Sequence, residues 1–265
     1  MNEVKEPRDH EGRIIDFGRT VADYELHRPG FPESFFDRLL RDGWIAAGQR
    51  AVDLGTGTGS LALGFATRGL EVTGLDIAPQ MLAMARQTAA DRGLSVRFVE
   101  ARAEATTQGD GACDLVSAGQ CWWWFDAEAV IAETRRILAP GGRLLICNFS
   151  YVPMPGTVAG RTEDLILQHN PGWPKAGWRG IHPEQVQALD RGDFQRVESF
   201  SSVTEVPFSH VGWRGRIRTC NGVGSALSTE QVERFDADLM DLLAVEFPGE
   251  LHVPHRMFAT SGIRP

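Results

Sequence analysis

The sequence lacks any apolar run of membrane-spanning length, and it lacks an excess of basic residues. Its 35 Asp and Glu residues outnumber 27 Lys and Arg residues, which gives a net charge of −8. A transmembrane helix needs about 20 mostly apolar residues. A surface that binds nucleic-acid phosphates needs clustered cations. We therefore expect no membrane segment and no DNA or RNA partner.

Metal-binding patterns and a secretory leader are also missing. The four cysteines lie in or beside apolar segments without metal spacing, and the seven histidines do not cluster. Residues 1–10 are charged and contain no apolar core, unlike a signal peptide. We expect reduced thiols, no metal site and a cytoplasmic location.

A glycine-rich stretch at residues 51–59 dominates what the sequence does contain. Apolar residues lead into Asp53, and Gly55, Gly57 and Gly59 follow at every second position. The pattern predicts a strand at 50–54, a tight turn and a helix at 59–68. Glycines leave the turn backbone accessible, and the helix start offers free N–H groups to a ligand. Such turns also join strands to helices where no ligand binds.

A second strand at 71–75 leads to Asp76, seventeen residues after Gly59. In a doubly wound sheet, an acid at this place reaches a ribose across the crevice at the strand ends. The glycine spacing is not the GxGxxG of dinucleotide-binding proteins, and the Gly-Lys-Ser/Thr of phosphate-binding loops is absent. The pattern D-x-G-x-G-x-G followed by an acid resembles the S-adenosylmethionine (SAM) fingerprint of class I methyltransferases, and the resemblance extends from about residue 17 to 147.

This resemblance implies an α/β fold: a doubly wound, Rossmann-like, seven-stranded sheet that is mostly parallel, with an antiparallel last strand and a small cap. The length of 265 residues fits a single domain. We expect its core at about 33–149 and 193–265, and cap elements at 10–32 and 150–228. SAM would be the cofactor and S-adenosylhomocysteine the product.

The resemblance also implies the cofactor contacts. They lie in the N-terminal segment, in the glycine turn and after the following strands. The implied contacts are Tyr24, Arg28, Asp53, Gly55, Thr56, Gly57, Gly59, Asp76, Ile77, Met81, Arg102, Ala103, Glu104, Gly119 and Gln120.

Two groups of these contacts could equally serve the fold alone. The segment Y-x-x-x-R-P-G-F-P at 24–32 resembles one in methyltransferases of the trans-aconitate type, where it covers the methionine end of the cofactor. It is also a plausible helix-capping turn. Ile77 and Met81, implied to lie near adenine, could be ordinary core residues.

The sequence departs from the family pattern in two places. Arg102 occupies the position of a usual aspartate, so only the Ala103 backbone contact is retained unless Glu104 supplies the carboxylate. Relatives often have His-Trp-Phe after the fourth strand, whereas this chain has Trp123 in place of that histidine. The Asp/Asn-Pro-Pro-Tyr/Phe motif of nucleic-acid base methylation is absent.

The acceptor is expected near Trp122 and Trp123, with Trp124 and Phe125 assigned to the core. Trp213, Arg214 and Arg218 are further candidates. The two arginines are four residues apart and would share one face of a helix, where they could hold a carboxylate. Alternatively, they pair with acids of the chain itself.

His182 and His210 are the candidates for a general base, although either could be structural. Other local signals predict an Asp126-capped helix ending at 140–142, strands at 143–148 and 197–206, and a Ser228–Gln231 capping box.

The sequence thus predicts a SAM-dependent methyltransferase that acts on oxygen or nitrogen of a small molecule, carboxylate-bearing or aromatic, as a monomer or homodimer. The alternatives are a nicotinamide- or flavin-binding oxidoreductase and a non-catalytic SAM sensor. The acceptor's identity is not evident from the sequence.

Overall fold

The computed structural model describes residues 28–265. Tyr24 and most of the expected N-terminal cap therefore lie outside the described residues. The helices are α1 Glu33–Arg41, α2 Ser60–Ala66, α3 Pro79–Asp91, α4 Ala127–Ile137, α5 Val158–His169, α6 Pro183–Arg191, α7 His210–Arg218 and α8 Thr229–Glu246. The strands are β1 Arg50–Leu54, β2 Glu71–Asp76, β3 Val96–Glu100, β4 Cys113–Gly119, β5 Leu138–Tyr151, β6 Gln195–Phe208 and β7 Leu251–Ile263.

The strands form one seven-stranded sheet in the order β3-β2-β1-β4-β5-β7-β6. Strands β3, β2, β1, β4 and β5 pair in parallel. Directly after β7, Arg264 accepts a hydrogen bond from Gly141 N–H of β5 and donates one to the carbonyl of Gly142, so that β7 runs antiparallel to β5. The predicted fold class is confirmed. Because the strand order reverses at β1 and β4, the crevice of the sheet opens at their carboxyl ends.

Two compact units make up the described chain. Unit 1 comprises residues 28–29, 151–179 and 203–255, and unit 2 comprises 30–150, 180–202 and 256–265. The core of unit 2 lies between the sheet and helices α4 and α6, with Leu54, Val116 and Ile146 at its centre. Unit 1 has its own core, which includes Trp213 and Phe235. The predicted single domain and its cap boundaries stay a prediction.

Strand β5 begins earlier than the sequence indicated. Helix α4 ends at Ile137, and Leu138 already has extended backbone (φ −69°, ψ 137°) and pairs with Cys113 of β4. Pro140 was expected to end the helix because it cannot continue one. Because Leu138 pairs with the sheet, the helix ends before it reaches Pro140. The predicted caps, Asp126 and the Ser228–Gln231 capping box, are confirmed.

The aromatic run after β4 is arranged differently from the prediction. It forms a short 3-10 helix, Trp122–Trp124, whose three residues per turn point in three directions. Trp122 is buried in the core of unit 2, whereas Trp123 and Trp124 are 42% and 37% exposed. The assignment of Trp124 to the core is wrong, and Trp122 takes that role. Phe125 packs against the core as expected.

In residues 28–265, no helix combines the length and the apolar character that a bilayer span requires. The same residues contain no group of His, Cys, Asp or Glu side chains arranged to hold a metal ion.

Candidate functional site

The glycine turn between β1 and α2 leaves a space open at its middle glycine. Gly55, Gly57 and Gly59 have φ values of 58°, 56° and 90°, in the left-handed region that favours glycine. A Cβ on Gly55 would lie 3.0 Å from the Cys121 side chain, and one on Gly59 would lie 3.3 Å from Leu63. Among residues 28–265, no atom lies within 4 Å of a Cβ built on Gly57. Packing explains the first and third glycines, whereas Gly57 faces space that no described residue fills.

Asp76 connects this turn to the start of α3. Its Oδ2 accepts a hydrogen bond from Gly57 N–H at 2.8 Å, and its Oδ1 accepts one from Ala78 N–H at 2.9 Å. Burial raises the pKa of the carboxyl, and these backbone donors oppose that shift. Each oxygen of an ionised carboxylate can accept a second hydrogen bond. Asp76 is therefore suited to receive two hydroxyl groups of a ligand beside Gly57.

Asp53 and Thr56 lie beneath the turn. The Asp53 carboxylate is buried and accepts hydrogen bonds from the Thr56 and Ser117 hydroxyls, each at 2.6 Å. Burial raises the pKa of Asp53 to about 6. Both predicted contacts therefore support the turn from inside, and their side chains do not face the open space.

Ile77 and Met81 differ in exposure. Ile77 follows Asp76 directly and is 48% exposed, whereas Met81 is a buried residue of α3. Ile77 is thus available to a flat ligand beside Asp76. Met81 fits the alternative interpretation as a core residue.

The segment after β3 contains the residues that depart from the family pattern. Arg102 forms an ion pair with Glu104 at 3.3 Å, and Glu104 also accepts a hydrogen bond from the N–H of Asp126 at 3.2 Å. Ala103 between them is buried. The Glu104 carboxylate is therefore already engaged with two groups of the chain, while Ala103 can contribute its backbone.

The carboxyl end of β4 has a strained backbone. Gln120 has φ 59°, and its N–H donates to the carbonyl of Cys147 at 2.9 Å. Non-glycine residues in this region cost of order 1–3 kcal/mol and cluster at functional sites. A Cβ on the preceding Gly119 would lie 2.6 Å from Leu61. Gly119 and Gln120 were both predicted to lie at the site, but no pattern in the sequence indicates the strained backbone of Gln120.

Trp123 and His182 are brought together within unit 2, although they are distant in sequence. Their ring centroids lie 6.3 Å apart, with 10° between the ring planes. His182 is buried, and its Nδ1 lies 2.8 Å from Oε1 of Glu184. The other candidate base, His210, lies in unit 1, where its Nε2 is 2.9 Å from the carbonyl oxygen of Phe247.

The acceptor candidates of unit 1 have partners within the chain. Trp213 is fully buried, and its indole N–H donates to the hydroxyl of Thr162 at 2.9 Å. Arg214 and Arg218 both form ion pairs with Asp236. Trp213 is thus a core residue, which corrects the sequence interpretation. For the arginines, pairing with an acid of the chain is what the structure shows. Trp122, likewise buried, packs in the core of unit 2.

The chain is similar in sequence to known methyltransferases. Residues 52–146 match the methyltransferase domain family model. A demethylmenaquinone methyltransferase of Thermus thermophilus is 49% identical over 156 residues, which cover 58% of this chain and 66% of the relative. An uncharacterised methyltransferase of Mycobacterium tuberculosis is 37% identical over 57% of this chain and 62% of its own length. The chain thus spans less than two thirds of these relatives.

Solved structures give the same fold. A protein described as a type II methyltransferase of Anaeromyxobacter dehalogenans superposes with a TM-score of 0.67 at 22% identity, over 89% of this chain and 98% of that chain. A phosphoethanolamine N-methyltransferase of Haemonchus contortus, solved with SAM, has a TM-score of 0.56 at 18% identity, over 92% of this chain and 56% of that chain.

The sheet order and the glycine turn with Asp76 are those of the Rossmann-like methyltransferase fold. Residues 52–146 match the methyltransferase domain model.

Proposed function

We propose that this protein binds SAM at the carboxyl ends of β1 and β2 and transfers the methyl group to a small molecule. The observation that carries the proposal is the open space at Gly57 beside the Asp76 carboxylate. These two features stand at the switch point of the sheet, where doubly wound folds bind their ligands.

The residues present fit this cofactor. Asp76 can accept the ribose hydroxyls, Ile77 can cover one face of adenine, and the backbone of Ala103 can meet the ring edge. N–H groups of the glycine turn and of the start of α2 can reach polar atoms of the methionine part. When bound, SAM supplies an activated methyl group on a sulfonium centre. The contacts proposed for Tyr24 and Arg28 stay predictions.

The acceptor is proposed to be a small aromatic or unsaturated metabolite that is methylated on oxygen, nitrogen or carbon. Two relatives support this class by name, the demethylmenaquinone methyltransferase and a ubiquinone biosynthesis O-methyltransferase of Pseudomonas aeruginosa that is 28% identical over 71% of this chain. Exposed Trp123 offers an indole face near β4. Because Arg214 and Arg218 pair with Asp236, the proposal does not include an anionic group on the acceptor.

Positioning is the main contribution expected from the protein. Alignment of two reacting groups can supply roughly 7–11 kcal/mol of a barrier. A general base is needed only where the accepting atom must lose a proton.

Calorimetry tests the cofactor site. Gly57→Val places a side chain in the open space and should abolish binding of SAM and S-adenosylhomocysteine, which we expect to be micromolar for the natural protein. Gly93→Val is the matched control, because Gly93 also has positive φ (64°) and open space but lies in the turn after α3. Equal binding by both variants would refute the site.

A transfer assay tests the reaction. Methyl-labelled SAM is incubated with a panel of phenols, quinols, amines and carboxylic acids, and label is counted in each product. Transfer to one member supports the enzyme. Tight SAM binding without transfer to any compound would favour a sensor, and NAD binding in place of SAM would favour an oxidoreductase.

A further inference from the structure

The ring of His182 stacks against the indole of Trp123, which is partly exposed. The imidazole of His182 is nearly parallel to the indole of Trp123, and Phe258 lies 5.5 Å from the imidazole centroid. Glu184 holds the Nδ1 edge at 2.8 Å. Three contacts from different directions therefore fix the plane of the His182 ring.

The helix that follows His182 is anchored to the end of β5. Asn148 donates its side-chain N–H to the side-chain oxygen of Gln185 at 2.9 Å, and both residues are buried. Asn148 follows Cys147, which pairs with Gly119 at the carboxyl end of β4. Since Gln185 lies in the first turn of α6 and His182 is its N-cap, this bond sets His182 at the same edge of the sheet as Trp123.

Trp123 remains 42% exposed although it stacks against His182. An indole offers a flat apolar face, and aromatic pairs are stabilised beyond their buried area when their planes are offset or tilted. A platform of this kind selects a planar ring over a puckered one of similar size, because only the planar ring can make contact across its whole face.

We propose that Trp123 is the stacking platform for a planar ring of the acceptor, and that His182 is the positioning residue that fixes the orientation of that platform. This inference rests on the proposed function and extends it. It assigns the acceptor class to flat aromatic or quinoid rings, and it gives His182 a role through Trp123 rather than through proton transfer.

Two probes with the same skeleton test the platform. 1-Naphthol is a flat bicyclic alcohol, and decahydro-1-naphthol is its saturated, puckered counterpart. Binding of each is measured by calorimetry to the full chain saturated with S-adenosylhomocysteine. We expect 1-naphthol to bind more tightly by about 5-fold or more. Trp123→Leu should remove this preference, with cofactor affinity unchanged.

Variants at His182 separate positioning from other roles. His182→Ala removes the ring beneath Trp123 and should weaken 1-naphthol binding about 3- to 10-fold. His182→Phe keeps a flat ring and should stay within about 2-fold of the natural protein, which a proton-transfer role does not allow. Glu184→Ala changes a largely exposed side chain, so it keeps the fold while it loosens the imidazole, and it should weaken binding about 2-fold.

Kinetics with any acceptor found in the transfer assay provide the second readout. Under the proposal, His182→Ala raises KM for the acceptor and His182→Phe restores it, with kcat little changed. A loss of kcat common to both variants would overturn the positioning role, as would equal binding of the two naphthol probes by the natural protein. Failure of the proposed function is recognised separately, since the natural protein would then not bind S-adenosylhomocysteine.

Discussion

At the scale of single residues, the buried Asp53 links stability to pH. Burial raises its pKa from 3.8 to about 6. The folded state therefore favours the protonated form of Asp53. The contribution of this group to the free energy of unfolding is fully present below pH 3.8 and is lost as the pH rises through 6. A shift of this size corresponds to about 3 kcal/mol.

The Asp53→Asn variant isolates this effect because it replaces the carboxyl by a neutral group of the same shape. The free energy of unfolding of variant and natural protein should be measured by urea denaturation between pH 4 and 8. The difference should shift in favour of the variant as pH rises, with most of the change between pH 4 and 6 and little above pH 6. A difference independent of pH would contradict the assigned pKa.

Cofactor affinity should also depend on the Asp76 carboxylate. Asp76→Ala leaves ribose hydroxyls without an acceptor, a loss of about 1–3 kcal/mol, or roughly 5- to 150-fold in Kd. Asp114→Ala is the control, since Asp114 also accepts from a backbone N–H, that of Arg50, but at the opposite end of β1. Calorimetry showing equal SAM affinity in both variants would count against the ribose contact.

Asp236 should stabilise unit 1 by holding two arginines. It is only partly exposed and accepts from both Arg214 and Arg218, which hold the pKa of this carboxyl below its usual range. Asp236→Asn should cost about 1–2 kcal/mol, because charged hydrogen bonds are lost in a partly solvated place. Asp238→Asn, at a more exposed acid of the same helix, should change stability less. Equal denaturation midpoints for the two variants would oppose this assignment.

At the scale of elements, α1 and α2 meet through a glycine. A Cβ on Gly64 would lie 2.1 Å from the ring of Phe36, which is also held edge-on by Phe35 and Phe65. Gly64→Ala would gain about 1 kcal/mol of helix propensity, but overpacking costs about 1–3 kcal/mol. We expect net destabilisation and a lower Tm. Gly109→Ala, whose Cβ would make an ordinary 4.0 Å contact, should leave Tm nearly unchanged.

The helices and strands were largely predictable, because the hydrophobic period and the capping residues can be recognised from neighbouring residues in the sequence. Strands β1 and β2 and the caps Asp126 and Ser228 depend on neighbours in sequence. The start of β5 was missed because Leu138 is drawn into the sheet by Cys113, a partner 25 residues away. No pattern in the sequence near Leu138 indicates that it pairs with Cys113.

At the scale of the whole molecule, cofactor binding should raise thermal stability. A ligand at 100 times its Kd adds about 2.7 kcal/mol, or roughly 5–10 °C in Tm for a protein of this size. Hydrogen exchange should slow at the amides of Gly57 and Ala78, which donate to Asp76. An unchanged Tm with saturating S-adenosylhomocysteine would contradict cofactor binding.

The site was predictable where one motif specifies it and not where distant segments meet. The glycine turn and Asp76 were evident in the sequence, and the structure places them together. The stack of His182 on Trp123 and the bonds of Arg214 to Asp236 join segments 59 and 22 residues apart. For Arg214 the sequence left two partners open, an acceptor carboxylate and an acid of the chain, and the tertiary structure shows the second.

The reactivity of the buried cysteines can be used to follow unfolding of the chain. Burial raises the pKa of Cys113 to about 12 and those of Cys121 and Cys147 well above their usual range, so these thiols resist alkylation while unit 2 is folded. Cys220 is buried in unit 1. The rate of labelling with iodoacetamide, measured for each cysteine by peptide mass spectrometry, would therefore report the unfolding rate of each unit separately. The measurement needs no added dye and no mutation.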